Sequence, residues 1–222
     1  MKDRHLLMNN SNILIVGASG SLGQPLCFKL KHLGYNCITP NSSTLDLKSK
    51  LSIENYSKKL PLLKGVIFLA GKEPSQNLKD MKWNHLEDMI SIHFKGVLWC
   101  IKLFRKNLIK NSFIITTSSV AARKGSYDPV YCSMKSSIEG LTKTLVKDLS
   151  PDTRINSVSP GLVIDSKVYR GMTPDFIENH LNNTPLNRLA TTEDIIESYL
   201  FLINNKHVTG QVINVNGGQY NG

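Results

Sequence analysis

Asn12-Ile13-Leu14-Ile15-Val16 runs directly into Gly17-Ala18-Ser19-Gly20-Ser21-Leu22-Gly23, and this junction decides the fold. Ile13 to Val16 is a continuous, mostly β-branched apolar run with no alternating polar side chain, the pattern of a strand covered on both faces. Leu22, Leu26, Leu30 and Leu33 then recur at helical spacing and stop at Gly34. Strand, glycine turn and helix in that order open a βαβ unit.

Working outward, the same alternation repeats. Tyr35 to Thr39 reads as a second strand, and Val66 to Ala70 as a third that ends at Gly71. Residues 84–110 read as one long helix and Phe113 to Thr117 as a fourth strand. Ile138, Leu141, Leu145 and Leu149 mark one face of the next helix, closed by Pro151. Ile155 to Ser159 leads into Pro160-Gly161. Thr191 with Asp194 has the spacing of a helix cap, followed by the apolar face of Ile195, Tyr199 and Ile203. Val212 to Val215 is a last strand before Gly217-Gly218. The pattern predicts an α/β fold: a single doubly wound parallel sheet, Rossmann-like, with helices on both faces. In such sheets ligands bind beyond the carboxyl ends of the strands.

Composition sets the outer limits. The 222 residues, 41% hydrophobic and 20% charged, suit one soluble domain spanning 1–222. No apolar run approaches the roughly eighteen residues of a membrane span, and MKDRHLLMNN has no apolar secretory core. Lys plus Arg total 27 against 17 Asp plus Glu, a net charge of +10, but the lysines are scattered. No nucleic-acid or membrane partner is expected; the charge suits an anionic small molecule. Cys27, Cys37, Cys100 and Cys132 show no C-x-x-C spacing, which predicts free thiols and a cytoplasmic setting.

Two motifs carry chemistry. The glycines from Gly17 to Gly23 let the backbone turn sharply and approach a pyrophosphate at a helix N-terminus. Tyr131-Cys132-Ser133-Met134-Lys135 begins a helix, so Tyr131 and Lys135 share one face. Ser118 and Ser119 end the FIITT strand on the presumed ligand edge. A phenol titrates near 10, so acid–base work at neutral pH requires an adjacent cation, which Lys135 supplies.

The order of glycine loop, LAG, SS, YCSMK, SPG, PLNRLATTEDI and TGQVINVNGG resembles the short-chain dehydrogenase/reductase family over residues 12–219. The resemblance implies a nicotinamide-dependent oxidoreductase interconverting a carbonyl and a secondary alcohol. Tyr131 would be general acid in reduction and base in oxidation. Lys135 would bond the nicotinamide ribose and lower the Tyr131 pKa, and Ser119 would bind the substrate carbonyl, with Ser118 as fallback. Gly17, Ser19, Ser21, Leu22 and Gly23 would line the pyrophosphate and adjacent ribose. Ala70 and Gly71 would back the adenosine half, and Pro160 and Gly161 would lie against the nicotinamide. Residues 162–186 would form a substrate lid, and a homodimer or homotetramer is expected. A non-catalytic nucleotide sensor or scaffold with this fold is the alternative, which absence of Tyr131 or Lys135 would have favoured.

The chain departs from the family pattern at several points. Ser21 stands where the reductase branch has its second glycine, and Leu69 replaces the usual Asn before Ala70-Gly71. His93 falls where the family places a relay Asn; it could hold a relay water through a ring nitrogen and titrate near 6.5. Asp46 resembles the acid near adenine. Asn41, Ser42 and Ser43 after strand two include neither an acid for the ribose hydroxyls nor an Arg for a 2′-phosphate. NADP(H) or NAD(H) both remain open, with a weak preference for NADP(H). Asp165 stands where a Thr commonly meets the carboxamide.

Overall fold

A computed structural model of the chain describes residues 11–164 and 166–221. Its strands are β1 (Asn12–Val16), β2 (Asn36–Ile38), β3 (Leu63–Phe68), β4 (Leu108–Thr117), β5 (Thr153–Pro160) and β6 (Val212–Val215). They form one parallel sheet in the order β2-β1-β3-β4-β5-β6. The longer helices are α1 (Gly23–His32), α2 (Lys50–Ser57), α3 (Trp83–Ile90) and α4 (Gly96–Phe104). The short α5 (Ala121–Lys124) precedes α6 (Pro129–Thr144) and α7 (Val146–Leu149). Then come α8 (Lys167–Arg170), α9 (Pro174–Asn182) and α10 (Thr192–Asn204).

Successive strand residues feed opposite cores, as a doubly covered sheet requires. Leu14, Val16, Val66, Phe68, Ile114 and Ile155 pack against Val97, Cys100 and Phe104 of α4 and Ile138 and Leu141 of α6. Ile13, Ile15, Ile67, Phe113, Ile115 and Val158 pack against Leu26 and Leu30 of α1 and Ile195, Tyr199 and Leu202 of α10. Burying each such side chain contributes about 1.5–3 kcal/mol. The predicted sheet with helices on both faces is therefore present.

The reading of 84–110 as one helix is corrected. Between α3 and α4 the chain makes a π-helical turn, Ser91–Lys95, and β4 begins at Leu108. Leu108 pairs with Leu63 before a register shift, so the apolar residues just after α4 join the sheet instead of extending the helix. The wider turn holds His93, 2% exposed, against the interior. α10 starts with the expected capping box between Thr191 and Asp194. The chain reverses its winding between β1 and β3, so a crevice opens where their carboxyl ends diverge. Among the described residues no helix is long and apolar enough to cross a membrane.

Candidate active site

α6 brings the central pair together. Asp128 caps it, Oδ1 accepting from the amides of Val130 at 3.1 Å and Tyr131 at 3.0 Å, with Pro129 in the first turn. Lys135, one turn after Tyr131, has its Nζ 5.6 Å from the centre of the Tyr131 ring. That Nζ donates to the Thr117 carbonyl oxygen at 2.9 Å, at the end of β4. Burial pushes the Lys135 ammonium down to about 8.

The two serines separate cleanly. The Ser119 side chain stands beside the Tyr131 phenol, and its Oγ accepts from the Ala121 amide at 3.2 Å. Ser118 turns into the core, its hydroxyl directed at Glu139 Oε1 (2.9 Å) and the Lys135 carbonyl oxygen (3.2 Å). Glu139 is itself paired with Arg123. The Tyr131 phenol is pushed up, chiefly by burial; the neighbouring Ser119 hydroxyl opposes this, while Glu73 and Asp128 add to it. The Lys135 ammonium itself is directed at the Thr117 carbonyl oxygen.

His93 stands edge-on to Tyr131, ring centres 5.9 Å apart at 88°. Its Nε2 lies 3.0 Å from both the amide nitrogen and the carbonyl oxygen of Lys72, so the tautomer decides which it meets. Burial, reinforced by Lys135, pushes the imidazole down to about 3, against the opposing Lys72 and Asp128 contributions. A titration near 6.5 is therefore excluded, and the ring is neutral at working pH.

These groups border an open cleft of about 410 Å³ that reaches from Ser21 and Leu22 past Gly71, Pro160 and Gly161 to Tyr131. The glycine loop fits a nicotinamide dinucleotide. A Cβ on Gly17, at φ +94°, would lie 2.3 Å from the Ala70 nitrogen, and one on Gly23 would lie 2.6 Å from Ala18. Only bare backbone lets β1, the loop and Ala70 close up behind the cleft. The N-terminus of α1 has neither a side-chain cap nor an acid in its first turn, which leaves its dipole and amides for an anion.

Ser19 lies exposed on the loop crest, its carbonyl oxygen accepting from Gln24 Nε2 at 3.4 Å. Asn41, Ser42 and Asp46 lie apart from the cleft lining, on the segment after β2. Asn41 Oδ1 accepts from Ser43 Oγ (2.7 Å) and Thr44 N (3.0 Å), and Asp46 Oδ1 accepts from Lys48 N (2.9 Å). Asp165 lies outside the described residues.

Sequence reasoning missed Asp128, His85, Glu139 and the cleft-wall residues Lys72 and Glu73. Asp128-Pro129 carries a readable helix-start signal. The partners of Asp128 and Glu139 come from distant segments, and no local pattern marks them.

The family model described as enoyl-(acyl carrier protein) reductase matches residues 46–220. A 3-oxoacyl-(acyl-carrier-protein) reductase of Staphylococcus epidermidis is 27% identical, covering 95% of this chain and 99% of its own. Its counterpart in Buchnera aphidicola is 28% identical over 96% of this chain and 89% of its own. A small-chain dehydrogenase solved in complex with NADPH is 26% identical, with a TM-score of 0.84 over 95% of this chain and 98% of the other. A Brucella melitensis short-chain dehydrogenase/reductase shares the fold, with 24% identity and a TM-score of 0.85 over 96% of this chain and 97% of the other. The glycine cradle, the Ser119–Tyr131–Lys135 cluster and these likenesses agree: the chain belongs to the short-chain dehydrogenase/reductase family and is an NAD(P)-dependent oxidoreductase interconverting carbonyl and alcohol.

Proposed function

We propose that the protein reduces the ketone of a 3-oxoacyl thioester with NADPH, Tyr131 giving the proton. The observation that carries this reading is the phenol of Tyr131 beside Ser119, with Lys135 beneath its ring, in an open cleft. The substrate class draws support from the Staphylococcus and Buchnera relatives. It also suits the apolar wall of Val120, Leu162, Val168, Met172 and Phe176.

The chemistry follows from the side chains. Ser119 Oγ already accepts from Ala121 N, so its own hydrogen is free to donate to the substrate carbonyl oxygen. A phenol pushed up by burial stays protonated through neutral pH, the state a general acid requires. Once Tyr131 has given up its proton, the Lys135 ammonium stabilises the phenolate left behind. His93, neutral and edge-on to Tyr131, orients that ring and takes no part in the proton transfer. When bound, the reduced nicotinamide supplies hydride to the carbonyl carbon.

Several chain positions would hold the dinucleotide. The Ser21 and Leu22 amides would take the pyrophosphate, Gly71 would back the adenosine half, and Pro160 and Gly161 would flank the nicotinamide. Lys135 would bond the ribose, and Ser19, Asn41, Ser42 and Asp46 would serve the adenosine end. NADPH is favoured because residues 40–44 include no carboxylate to repel a 2′-phosphate, and the net charge is +10. Residues 162–186 act as the lid, with Lys167 of α8 reaching Glu73 across the cleft at 3.1 Å. The protein works as a cytoplasmic homodimer or homotetramer through the partly buried apolar residues Leu98, Trp99 and Leu103.

The test is NADPH oxidation with acetoacetyl-coenzyme A, read beside a simple ketone and Tyr131→Phe. Turnover of the thioester that Tyr131→Phe abolishes supports the reading. Turnover of the ketone alone would reject the substrate class.

A further inference from the structure

Asp128 does more than a cap requires. A helix cap uses one side-chain oxygen, and Oδ1 fills that role toward Val130 and Tyr131. Its second oxygen, Oδ2, accepts from the Ser75 amide at 3.0 Å, the Gln76 amide at 3.2 Å and His85 Nε2 at 2.8 Å. The carboxylate is 0% exposed and His85 is 2% exposed, so this is a charge-assisted bond inside the protein. Ser75 and Gln76 continue the loop whose Lys72, Glu73 and Pro74 form one wall of the cleft. The same loop is pinned by Tyr127, whose hydroxyl donates to the Pro74 carbonyl oxygen at 2.7 Å. One buried carboxylate thus joins the first turn of α6, the cleft wall and α3.

We propose that Asp128 and His85 are positioning residues for the reaction: the pair ties the cleft-wall loop 72–76 to the first turn of α6, holding Tyr131 in register with the wall that faces it. This rests on Tyr131 acting as the proton donor. His85 fixes where Oδ2 points, Oδ2 fixes the loop, and the loop fixes Glu73, a charge that acts on the phenol. Displacing a reacting group by about 1 Å can cost a hundredfold in rate.

The experiment compares Asp128→Ser, His85→Leu, His85→Gln, His85→Asn and Tyr131→Phe in the full chain, with NADPH and acetoacetyl-coenzyme A as probes. Serine still caps α6 but cannot reach the loop or His85. Asp128→Ser is expected to melt several degrees or more below wild type, since Ser75, Gln76 and His85 lose a buried partner, and to bind NADPH unchanged when folded. Its kcat falls about tenfold or more while KM for the ketone rises. His85→Leu behaves alike. His85→Gln, whose amide nitrogen reaches as far as Nε2, recovers most of kcat, and the shorter His85→Asn does not. The pH profile gives a separate readout. Glu73 on the loop and Asp128 and Tyr127 before α6 act on the phenol electrostatically, while Ser119, Lys135 and His93 stand around its ring. Removing the Asp128 charge lowers the phenol's proton affinity, so the alkaline loss of reductive rate begins at lower pH in Asp128→Ser. Wild-type kcat, KM and pH profile with altered melting alone would overturn the proposal and leave the pair a fold element. If Asp128→Ser and His85→Leu do not fold, equal kcat in His85→Gln and His85→Asn overturns it. A Tyr131→Phe enzyme as fast as wild type would overturn both this inference and the reading beneath it. A dead Tyr131→Phe beside unaltered His85 and Asp128 variants would overturn this inference alone.

Discussion

Lys135 lies beneath the Tyr131 ring, Nζ 5.6 Å from its centre, yet its ammonium donates to the Thr117 carbonyl oxygen 2.9 Å away. The lysine is thereby held by the sheet edge rather than locked onto the phenol. Its cost is thermodynamic. The folded-state value, about 8, lies below the usual 10.5, so the unfolded chain binds the extra proton between those values. Stability contributed at this site therefore rises as pH goes from about 8 to 10.5 and is lowest below 8.

Lys135→Met is accordingly expected to be more stable than wild type at pH 7, by on the order of 2 kcal/mol, and nearly inactive. NADPH binding should weaken with turnover, since Lys135 is the residue assigned to the ribose. Tyr131→Phe should cost about 10²–10⁴ in turnover with cofactor affinity unchanged. Melting curves at pH 7 and 10, with titrations read by Trp83 and Trp99 fluorescence, check both. Equal NADPH affinities in the two variants would contradict the assignment.

His93 should be invisible in the pH–rate profile near 6.5, because its imidazole is held at about 3. It should be visible in acid stability. Between 6.5 and about 3 the unfolded state takes up a proton that the folded site refuses, so stability falls as pH falls through that window. His93→Asn should flatten that fall in a series of melting temperatures from pH 7 to 4. An unchanged slope would mean that the buried ring is not the group responsible.

Ser118 and Ser119 should respond oppositely to alanine. Ser119→Ala loses a donor to the developing oxyanion, about 10²–10³ in kcat, with melting little changed. Ser118→Ala removes a partner of buried Glu139 and should cost about 1–3 kcal/mol of stability while retaining turnover. Kinetics and melting of the two proteins distinguish the roles directly. A reversal would make Ser118 the substrate ligand.

NADPH should bind about tenfold tighter than NADH, near 1.4 kcal/mol. The margin is small because neither an acid nor an Arg or Lys stands at residues 40–44. Long-range attraction from the net charge should shrink it further at high ionic strength. Dissociation constants for both cofactors at two salt concentrations provide the check. A salt-resistant NADH preference would reject the inference drawn from the missing acid.

The alternation of apolar runs and helical stripes was readable because it is local: Ile13 to Val16, Gly17 to Gly23 and Leu22 to Leu33 each carry their own periodicity. The capping box at Thr191 and Asp194, and the one-turn spacing of Tyr131 and Lys135, are likewise short-range facts. The break at Ser91–Lys95 was not readable, since a π turn leaves the apolar pattern nearly intact while shifting which side chain faces inward. That shift buried His93 and removed its titration from the neutral range. The sequence by itself determined the parallel sheet, the dinucleotide cradle and the presence of Tyr131, Lys135 and a serine pair. Only the tertiary structure decided which serine faces the phenol, where the lysine ammonium points and what holds the cleft wall. Those outcomes depend on desolvation and on partners 17 to 53 residues apart in the chain, as Ser118 with the Lys135 carbonyl and Ser75 with Asp128 show, and a linear pattern encodes neither.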